Sequence, residues 1–377
     1  MTNFSADEMS NRWHRIQALM DERGFDALLV SEHANYQYLT GHDSLQFLHK
    51  MRPMLGLLPA QGDPVLFIYS LEEALARADG YGGDIRTYLD VPFPVGELRD
   101  LMAERGVEAG VIGVETGANQ RLGLPLEDFD ALRASLPAVQ WRNAGGLLAD
   151  AMMIKSHAEI EMIRRACDLT QEAWHALMHR IKTGMTIREV EQQVALALID
   201  AGADPLDPGF IMVRHMCERS SDRVFRDGDL LKLDFGARLG GYYADITRLA
   251  SIGPATHRHR QIHADMYRMM QGCVERFGPG VSTRSIAEFN SEELVKEGYQ
   301  PLAANKRIGH GVGLELTQPP SLNREDSTIL GAGMVIAIEP RFDSEFGRIH
   351  LEELVAVNND DADLLSQGAE VLGEILS

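Results

Sequence analysis

Residues 230–248 read LLKLDFGARLGGYYADITR, and this stretch predicts a β-hairpin that carries two acidic side chains. Gly240 and Gly241 are suited to the tip of the hairpin, and Asp234 lies eleven residues before Asp245. The two residue numbers have an odd sum, as do partners across a tight antiparallel turn, so the carboxylates fall opposite or diagonal on one sheet face. Because Asp is disfavoured inside strands, the hairpin predicts either a shared cation or a solvated acidic face.

Three later segments add an imidazole and further carboxylates. GHGVGLELTQPP places His310 between glycines, which permit a close backbone approach. MVIAIEP places Glu339 at the end of an apolar strand, where a buried carboxylate is costly unless it is paired or metal-bound. In RIHLEELVAV, alternation along a strand sends either Glu352 or Glu353 inward and the other outward. Each segment alone also fits an ordinary loop histidine or a solvated glutamate.

Together these side chains predict a metal centre. Four crowded carboxylates repel one another and raise each other's pKa unless cations neutralise them. An oxygen-rich donor set with one imidazole suits two divalent ions such as Mn²⁺, Co²⁺ or Zn²⁺. Two such ions can polarise a carbonyl and supply a hydroxide.

The composition restricts the partners and the compartment. The chain has 377 residues and a formal charge of −20, which repels nucleic acid and anionic membranes. No apolar run approaches the ~20 residues of a transmembrane helix, and the N-terminus does not resemble a signal peptide. The three cysteines, Cys167, Cys217 and Cys273, contain no CxxC pair. We therefore expect a protein of a reducing cytoplasm without a disulfide framework.

The pattern of elements changes near residue 150. Residues 1–150 alternate between short apolar strands and amphipathic helices, which predicts an α/β domain. Residues 151–377 begin with a long helix from His157 and a capping box at Thr186 and Glu189, and then become strand-rich. Continuous strands are expected over 242–252 and 349–357. The second domain is therefore expected to be α+β.

The motifs in this order resemble the pita-bread metallopeptidases, which include methionine aminopeptidase, prolidase and aminopeptidase P, and their non-peptidase relative creatinase. The shared features are an Asp–x10–Asp hairpin, a GHGxG loop, an EP strand end and a late strand glutamate. The first domain resembles the creatinase and prolidase N-terminal domain through RIQALMDERGFDALLV and NYQYLTGHD, and MIKSHAEIEMIRRA resembles the link between the domains. The resemblance implies a metal-binding set of five residues: Asp234, Asp245, His310, Glu339 and Glu352.

The resemblance also implies a fold, an assembly and a mechanism. The expected fold is a pita-bread catalytic domain of two pseudo-symmetric α+β halves, preceded by the smaller creatinase-type domain. The expected assembly is a homodimer in which Arg52 of HKMRPM could approach the partner's site. Glu339 would both ligate metal and shuttle protons while a hydroxide attacks the substrate carbonyl.

The residues that contact substrate in the family are altered here. The usual GHGxGxxxHExP has Thr317 and Gln318 in place of its His and Glu, and the usual EPG reads EPR, with Arg341. The family's SDR-type segment is usually preceded by a histidine; here that position is Cys217, which is expected to be a buried small residue. His215, two residues earlier, and His350, where Arg is common, are candidates for a proton-transfer role.

We therefore predict a dinuclear-metal hydrolase that cleaves an amide bond in a small molecule or dipeptide, as an Xaa-Pro dipeptidase or aminopeptidase does. One alternative is a non-peptide C–N hydrolase that resembles creatinase or ectoine hydrolase and acts on a small osmolyte-like compound. A second alternative is a catalytically silent binding module.

Overall fold

The structure is a computed structural model that describes residues 4–89, 91–205, 207–214, 222–300, 303 and 306–376. The chain forms two compact units, Met1–Met152 and Met153–Ser377. Each unit has its own sheets and its own apolar core.

The first unit is one sheet covered by helices. Its strands are β1 (Ala27–Val30), β2 (Leu55–Pro59), β3 (Val65–Tyr69), β4 (Asp84–Tyr88), β5 (Gly110–Val114) and β6 (Val139–Asn143). Its helices are α1 (Ala6–Arg23), α2 (His33–Thr40), α3 (Glu73–Ala78), α4 (Val95–Glu104), α5 (Leu126–Ser135) and α6 (Gly145–Met153). The strand order is β4-β3-β2-β1-β5-β6, with β1–β2 and β2–β3 antiparallel and the other pairs parallel. This mixed sheet confirms the predicted α/β domain.

Helix α1 shows how local sequence sets the bounds of an element. The Ser5 side chain accepts a hydrogen bond from the Glu8 amide, which satisfies one of the free N–H groups at the helix start. Gly24 ends the helix in the left-handed region at φ 66°. Ile16 and Met20, four residues apart, are fully buried and anchor the apolar face of the helix.

The second unit contains two larger sheets and a separate hairpin. Its helices are α7 (His157–Arg180), α8 (Ile187–Ala201), α9 (His257–Val274) and α10 (Thr283–Lys296). Its first strands are β7 (Gly209–Arg214), β8 (Leu230–Leu239), β9 (Tyr242–Tyr243), β10 (Ile246–Ile252), β11 (Gly309–Gly311) and β12 (Gln318–Ser321). The remaining strands are β13 (Val335–Ile338), β14 (Arg341–Ser344), β15 (Gly347–His350), β16 (Glu353–Val357), β17 (Ala362–Leu364) and β18 (Gly373–Ile375).

The two larger sheets place the polar residues of interest near one another. One sheet has the order β18-β10-β8-β7, with β9 paired to β8, and the other has the order β12-β11-β13-β16-β17. An isolated bridge between Thr247, next to the start of β10, and Glu352, just before β16, links the sheets. The helices α9 and α10 supply Ile262, Met266 and Ile286 to the core beneath β13 and β16. The unit is α+β, as predicted.

Several predicted elements have different bounds in the structure. The capping box of Thr186 and Glu189 is present and begins α8, as predicted. The strand expected over 242–252 is interrupted at residues 244–245, and the one expected over 349–357 is interrupted at Leu351 and Glu352. Both breaks fall at or beside a clustered carboxylate, and Glu352 forms an isolated bridge to Thr247 of the other sheet. Among the helices of the described residues, none is long and apolar enough to cross a bilayer.

Candidate metal centre

The β8–β10 hairpin brings the first two carboxylates to one side of the sheet. Gly240 and Gly241 form its two-residue tip, with φ of 56° and 90°, a conformation that favours glycine. In the ladder Asp234 is paired with Thr247 rather than with Asp245, so the two aspartates are diagonal neighbours. The Asp234 charge contributes to the raised pKa of Asp245, which places the carboxylates within electrostatic reach of each other.

A glycine permits the close approach of the two strands beside Asp245. A Cβ atom on Gly236 would lie 1.8 Å from the carbonyl oxygen of Ala244 and 3.1 Å from the Asp245 amide nitrogen. No side chain fits such a distance. The position of the Asp245 backbone therefore depends on the absence of a side chain at residue 236.

The second sheet supplies the imidazole and two glutamates. His310 lies on β11, opposite Ala337 of β13, although its glycine-rich segment suggested a loop. Glu339 follows the last residue of β13. Glu352 is linked to the sheet of β8 and β10 because the Thr247 hydroxyl donates a hydrogen bond to Glu352 Oε2 at 3.0 Å.

The predicted ligands form two overlapping triads. Asp245, His310 and Glu352 each offer one ligand atom within 4.8 Å of the others, and so do Asp234, His350 and Glu352. His310 Nε2 lies 3.4 Å from Asp245 Oδ2 and 3.9 Å from Glu339 Oε1. The structure thus brings together all five side chains that the resemblance implied, and it adds His350.

Burial and mutual repulsion dominate the electrostatics of this cluster. Burial raises the pKa of Asp245, and the charges of Asp234 and Glu339 raise it further. The pKa of Glu352 is raised in the same way, by burial and then by Asp245 and Glu339. Burial also acts on Asp234, but the hydrogen bond from His350 and the charge of Lys232 outweigh it, so the pKa of Asp234 is lowered. Such a cluster favours bound cations.

Adjacent glutamates have opposite environments. Glu352 faces the cluster, whereas Glu353 pairs with Arg248 at 3.0 Å, and both members of that pair are 1% exposed. Glu353 also accepts hydrogen bonds from the Ser366 hydroxyl and the Ala369 amide. Because Glu353 has these partners of its own, the geometry favours Glu352 as the residue that faces the ions.

Three further cations lie beside the cluster, and the sequence reasoning missed two of them, Lys232 and Arg307, the latter with its Nε 3.7 Å from Glu339 Oε1. The Lys232 ammonium lies 3.2 Å from His350 Nδ1, and His350 Nε2 lies 3.2 Å from Asp234 Oδ2. Burial and the Lys232 charge lower the pKa of His350, so the ring is neutral and its Nε2–H donates to Asp234. The period-2 spacing of Lys232 and Asp234 on β8 was the available signal. Arg341, which the EPR motif singled out, donates to Glu339 Oε1 at 2.8 Å.

The cluster lines a cavity of about 360 Å³. Its wall contains the acidic residues of the cluster, together with His310, His350, Lys232, Thr317 and three arginines, Arg307, Arg341 and Arg348. Thr317, which stands where the family usually has His, accepts a hydrogen bond from Arg307 at 3.4 Å. Phe210, Met212 and Leu316 supply apolar surface. The cavity is small and combines charged groups with apolar surface, which suits a small polar substrate.

Other predicted residues lie away from the cluster or outside the described residues. His215 and Cys217 are outside the described residues. Cys167 and Cys273 are free and buried. The Arg52 guanidinium lies over the ring of Tyr69 at 4.4 Å, within the first unit, and its approach to a second subunit stays a prediction.

The donor set fits divalent metal ions. Asp245 Oδ1 is buried and has no hydrogen-bond partner among the described residues, although an ionised buried oxygen needs one. Burial lowers the pKa of His310, so its ring is neutral and able to ligate. Four carboxylates and one imidazole match the oxygen-rich preference of Mn²⁺ and similar ions.

Comparisons with known proteins find a family model for each unit. Residues 161–359 match the model of metallopeptidase family M24, and residues 12–154 match the model of the creatinase/prolidase N-terminal domain. An Xaa-Pro dipeptidase from Pyrococcus horikoshii is 25% identical over 375 residues, which cover 96% of this chain and 98% of that protein.

Solved structures share the fold over nearly the full length. An X-Pro aminopeptidase from Thermotoga maritima superposes with a TM-score of 0.82 at 21% identity and covers 96% of this chain and 99% of its own. A recombinant prolidase from Thermococcus sibiricus superposes with a TM-score of 0.84 at 22% identity, covering 98% and 100% of the two chains. At this identity the likeness establishes the fold.

Proposed function

Because the chain belongs to metallopeptidase family M24, we propose that it is a hydrolase that cleaves the amide bond of Xaa-Pro dipeptides or of similar small substrates. The observation that carries the proposal is the convergence of four carboxylates and His310 on one cavity. The Xaa-Pro preference is inferred from two relatives that are named Xaa-Pro dipeptidases and that align with nearly the whole chain. The chemistry is assigned to residues 151–377, with residues 1–150 as an accessory domain.

The proposed metal-binding residues are those that share the cavity wall: Asp234, Asp245, His310, Glu339 and Glu352. Two divalent ions bound by this set would polarise the substrate carbonyl and provide a deprotonated water at neutral pH. Mn²⁺ is the ion we propose, with Co²⁺ and Zn²⁺ as alternatives, because carboxylate oxygens dominate the donor set.

The roles of the protein's own groups follow from their contacts. Glu339 reaches the cavity from the end of β13. We expect its carboxylate to accept a proton from the water that attacks the substrate and to return it to the leaving nitrogen. His350 donates to Asp234 and accepts from Lys232, so it is suited to orienting Asp234 rather than to carrying a proton. Thr317 stands at the position of the family's usual substrate-contacting histidine and accepts a hydrogen bond from Arg307.

The test is hydrolysis of Ala-Pro and Met-Pro by protein supplied with Mn²⁺ or Co²⁺. Asp245→Ala removes a central carboxylate and is expected to lower kcat/KM by at least about 10³-fold, since the whole ion-dependent contribution is lost. Asp168→Asn, an exposed carboxylate on α7, is the matched control and keeps the wild-type rate. Equal rates in wild type and Asp245→Ala would refute the metal mechanism.

Two expectations about the setting of the enzyme belong to the same proposal. We infer a homodimer, as the resemblance implies, and light scattering on the purified chain measures its mass directly. We also infer a reducing, cytoplasmic setting. The inference comes from the sparse cysteines without a CxxC pair, and Cys167 and Cys273 are free in the structure.

A further inference from the structure

We propose that Arg307 is a catalytic residue that donates hydrogen bonds to the substrate carbonyl oxygen while that oxygen becomes negatively charged. The inference rests on the proposed function for its reaction, but it assigns a role that the metal-binding residues do not fill. It follows from where the Arg307 side chain lies, from how its backbone is held and from the N–H groups that it has available.

The Arg307 guanidinium lies beside the group that we expect to accept the proton of the attacking water. Its Nε is 3.7 Å from Glu339 Oε1, and the side chain lines the cavity that the metal-binding residues share. Burial raises the pKa of Asp245 and the Arg307 charge opposes that rise, whereas burial lowers the pKa of His310 and the Arg307 charge lowers it further. A guanidinium has no acceptor atom for a metal ion, so Arg307 can act on the substrate but not as a ligand.

The backbone next to Arg307 is fixed to the segment that carries Glu339. The Glu339 amide donates to the Ile308 carbonyl at 2.8 Å, and the Ile308 amide donates to the Leu322 carbonyl at 2.8 Å. Arg341 donates to the Arg307 carbonyl itself at 2.9 Å. The Arg307 side chain therefore starts from a fixed point beside Glu339. Stabilisation of a transition state by a charged group requires such a prearranged position.

The Arg307 side chain has N–H groups available for a substrate. Its Nη2 donates to Thr317 Oγ1 at 3.4 Å, and the contact of its Nε with Glu339 is longer still. Among the described residues, its Nη1 has no hydrogen-bond partner, and the side chain is 39% exposed. Arg341 has a shorter contact with Glu339, at 2.8 Å, and its side chain is only 21% exposed. Of these two arginines, Arg307 is therefore the one that is better placed to donate to a bound substrate.

The proposed reaction places negative charge on one oxygen for part of its course. When water adds to the carbonyl carbon, a C–O bond forms, the water proton passes to Glu339, and the π electrons of the carbonyl move onto its oxygen. Collapse of this tetrahedral species restores the C=O bond, breaks the C–N bond and delivers the proton to the leaving nitrogen. Because the charged oxygen exists only between these steps, hydrogen bonds from Arg307 to it increase kcat and contribute little to substrate binding.

The experiment measures kcat and KM for Ala-Pro with the Mn²⁺-loaded protein. Arg307→Gln should lower kcat by about 10²-fold and change KM by less than about threefold, since the lost interaction forms mainly in the transition state. Arg307→Lys keeps a positive charge without the planar guanidinium and should retain more activity than Arg307→Gln. Arg284→Gln, which changes an exposed arginine of α10 outside the cavity, is the control that keeps the wild-type constants.

A second substitution tests where the donor must lie. Because Arg307 Nη2 is close to Thr317 Oγ1, a longer side chain with an N–H group at residue 317 extends toward the same part of the cavity. Thr317→His combined with Arg307→Gln should raise kcat about tenfold above that of Arg307→Gln alone, which is part of what one such donor contributes. Recovery supports the donor role, because a purely structural function of Arg307 would not be restored from another position.

Calorimetric titration with Mn²⁺ shows whether Arg307→Gln affects the ions instead. Removal of a nearby cation should leave the affinity for Mn²⁺ unchanged or increase it, since like charges repel. A fall in Mn²⁺ affinity large enough to account for the lost activity would overturn the proposal.

A binding measurement separates this inference from the proposed reaction. The probe is a phosphinic analogue of Ala-Pro, in which a tetrahedral anionic phosphorus group and a carbon atom replace the carbonyl and the nitrogen. We expect Arg307→Gln to weaken its binding by about tenfold. If no dipeptide is cleaved but binding of the analogue depends on Arg307, the proposed function fails and the anion-binding role of Arg307 stands. If Ala-Pro is cleaved and Arg307→Gln keeps the wild-type kcat and affinity for the analogue, the role of Arg307 is wrong and the proposed function stands.

Discussion

At the scale of single residues, Glu352 and Glu353 show how adjacent, chemically identical side chains acquire different tasks. Glu352 sits among like charges, whereas Glu353 neutralises Arg248 in the core. Strand alternation predicts that one faces inward and one outward, but both are buried here, at 2% and 1% exposed. The partner that distinguishes them, Arg248, is more than 100 residues away in the chain, so no local pattern could assign them.

We predict opposite effects of the two Glu→Gln substitutions on stability. Glu352→Gln removes a like charge from the cluster, so the metal-free protein should be as stable as wild type or more stable. The same variant should lose the stabilisation by Mn²⁺, which is about 2.7 kcal/mol at a hundredfold excess over Kd. Glu353→Gln leaves Arg248 buried without its counter-charge and should destabilise the protein by about 3–5 kcal/mol with or without Mn²⁺.

Denaturant unfolding of both variants with chelator and with Mn²⁺ measures these effects. The two substitutions are controls for each other, since they make the same chemical change one residue apart. A loss of stability in metal-free Glu352→Gln as large as that in Glu353→Gln would contradict the assignment.

The five proposed ligands and the cations beside them, Lys232 and Arg307, differ in how readily the sequence reveals them. The ligands lie in glycine- and proline-marked motifs whose order is recognisable. Lys232 lies in an apolar strand, and only its period-2 spacing from Asp234 indicates that it reaches the cavity. Arg307 precedes the GHG segment by two residues without any motif, and its contacts with Thr317 and Glu339 come from tertiary folding.

At the scale of elements, the starts of α7 and α8 agree with the sequence prediction better than the strand bounds near the cluster do. Both helices have side-chain caps that specify where they start. The strands around the cluster break at Asp245 and beside Glu352. Glu352 bridges to Thr247, which is 105 residues away in the chain, and periodicity within one segment does not contain that information.

The hairpin of β8 and β10 gives a prediction at this scale. Gly236→Ala would place a Cβ within 1.8 Å of the Ala244 carbonyl, so the backbone that leads into Asp245 must move. We expect Mn²⁺ affinity to fall by at least about tenfold, because ligand positions must hold within a few tenths of an ångström. Calorimetric titration of metal-free protein with Mn²⁺ measures this directly.

The matched control for the hairpin is Gly278→Ala. This glycine lies in the same unit, its φ is not positive, and an added Cβ meets no atom within 4 Å. It should keep wild-type Mn²⁺ affinity. Wild-type affinity in Gly236→Ala as well would show that the hairpin tolerates the displacement and that Asp245 is not held as described.

At the scale of the whole molecule, the chain consists of two compact units with separate cores. All the residues of the cluster belong to the second unit. Strand and helix alternation was sufficient to predict the class of each unit, because it depends on patterns within short segments. The approach of the two sheets at Thr247 and Glu352 joins positions 105 residues apart. Its prediction therefore depends on the order of the motifs and not on a local pattern.

We predict that metal loading stabilises the second unit selectively. Amide hydrogen exchange in β8, β10, β13 and β16 should be at least about tenfold slower with Mn²⁺ than without it. The sheet of the first unit should exchange at unchanged rates. Asp245→Ala should remove the difference between the two conditions. Slowing of the same size in both units would contradict a site confined to the second.

The contact between Arg341 and Glu339 has a consequence for how the protein matures. With Arg341 near Glu339, His310 near Asp245, His350 near Asp234 and the Thr247 hydroxyl on Glu352, each of the four clustered carboxylates has an internal partner before any ion arrives. We therefore expect a newly synthesised chain to fold without bound metal. The supply of metal would then determine when such a molecule becomes active.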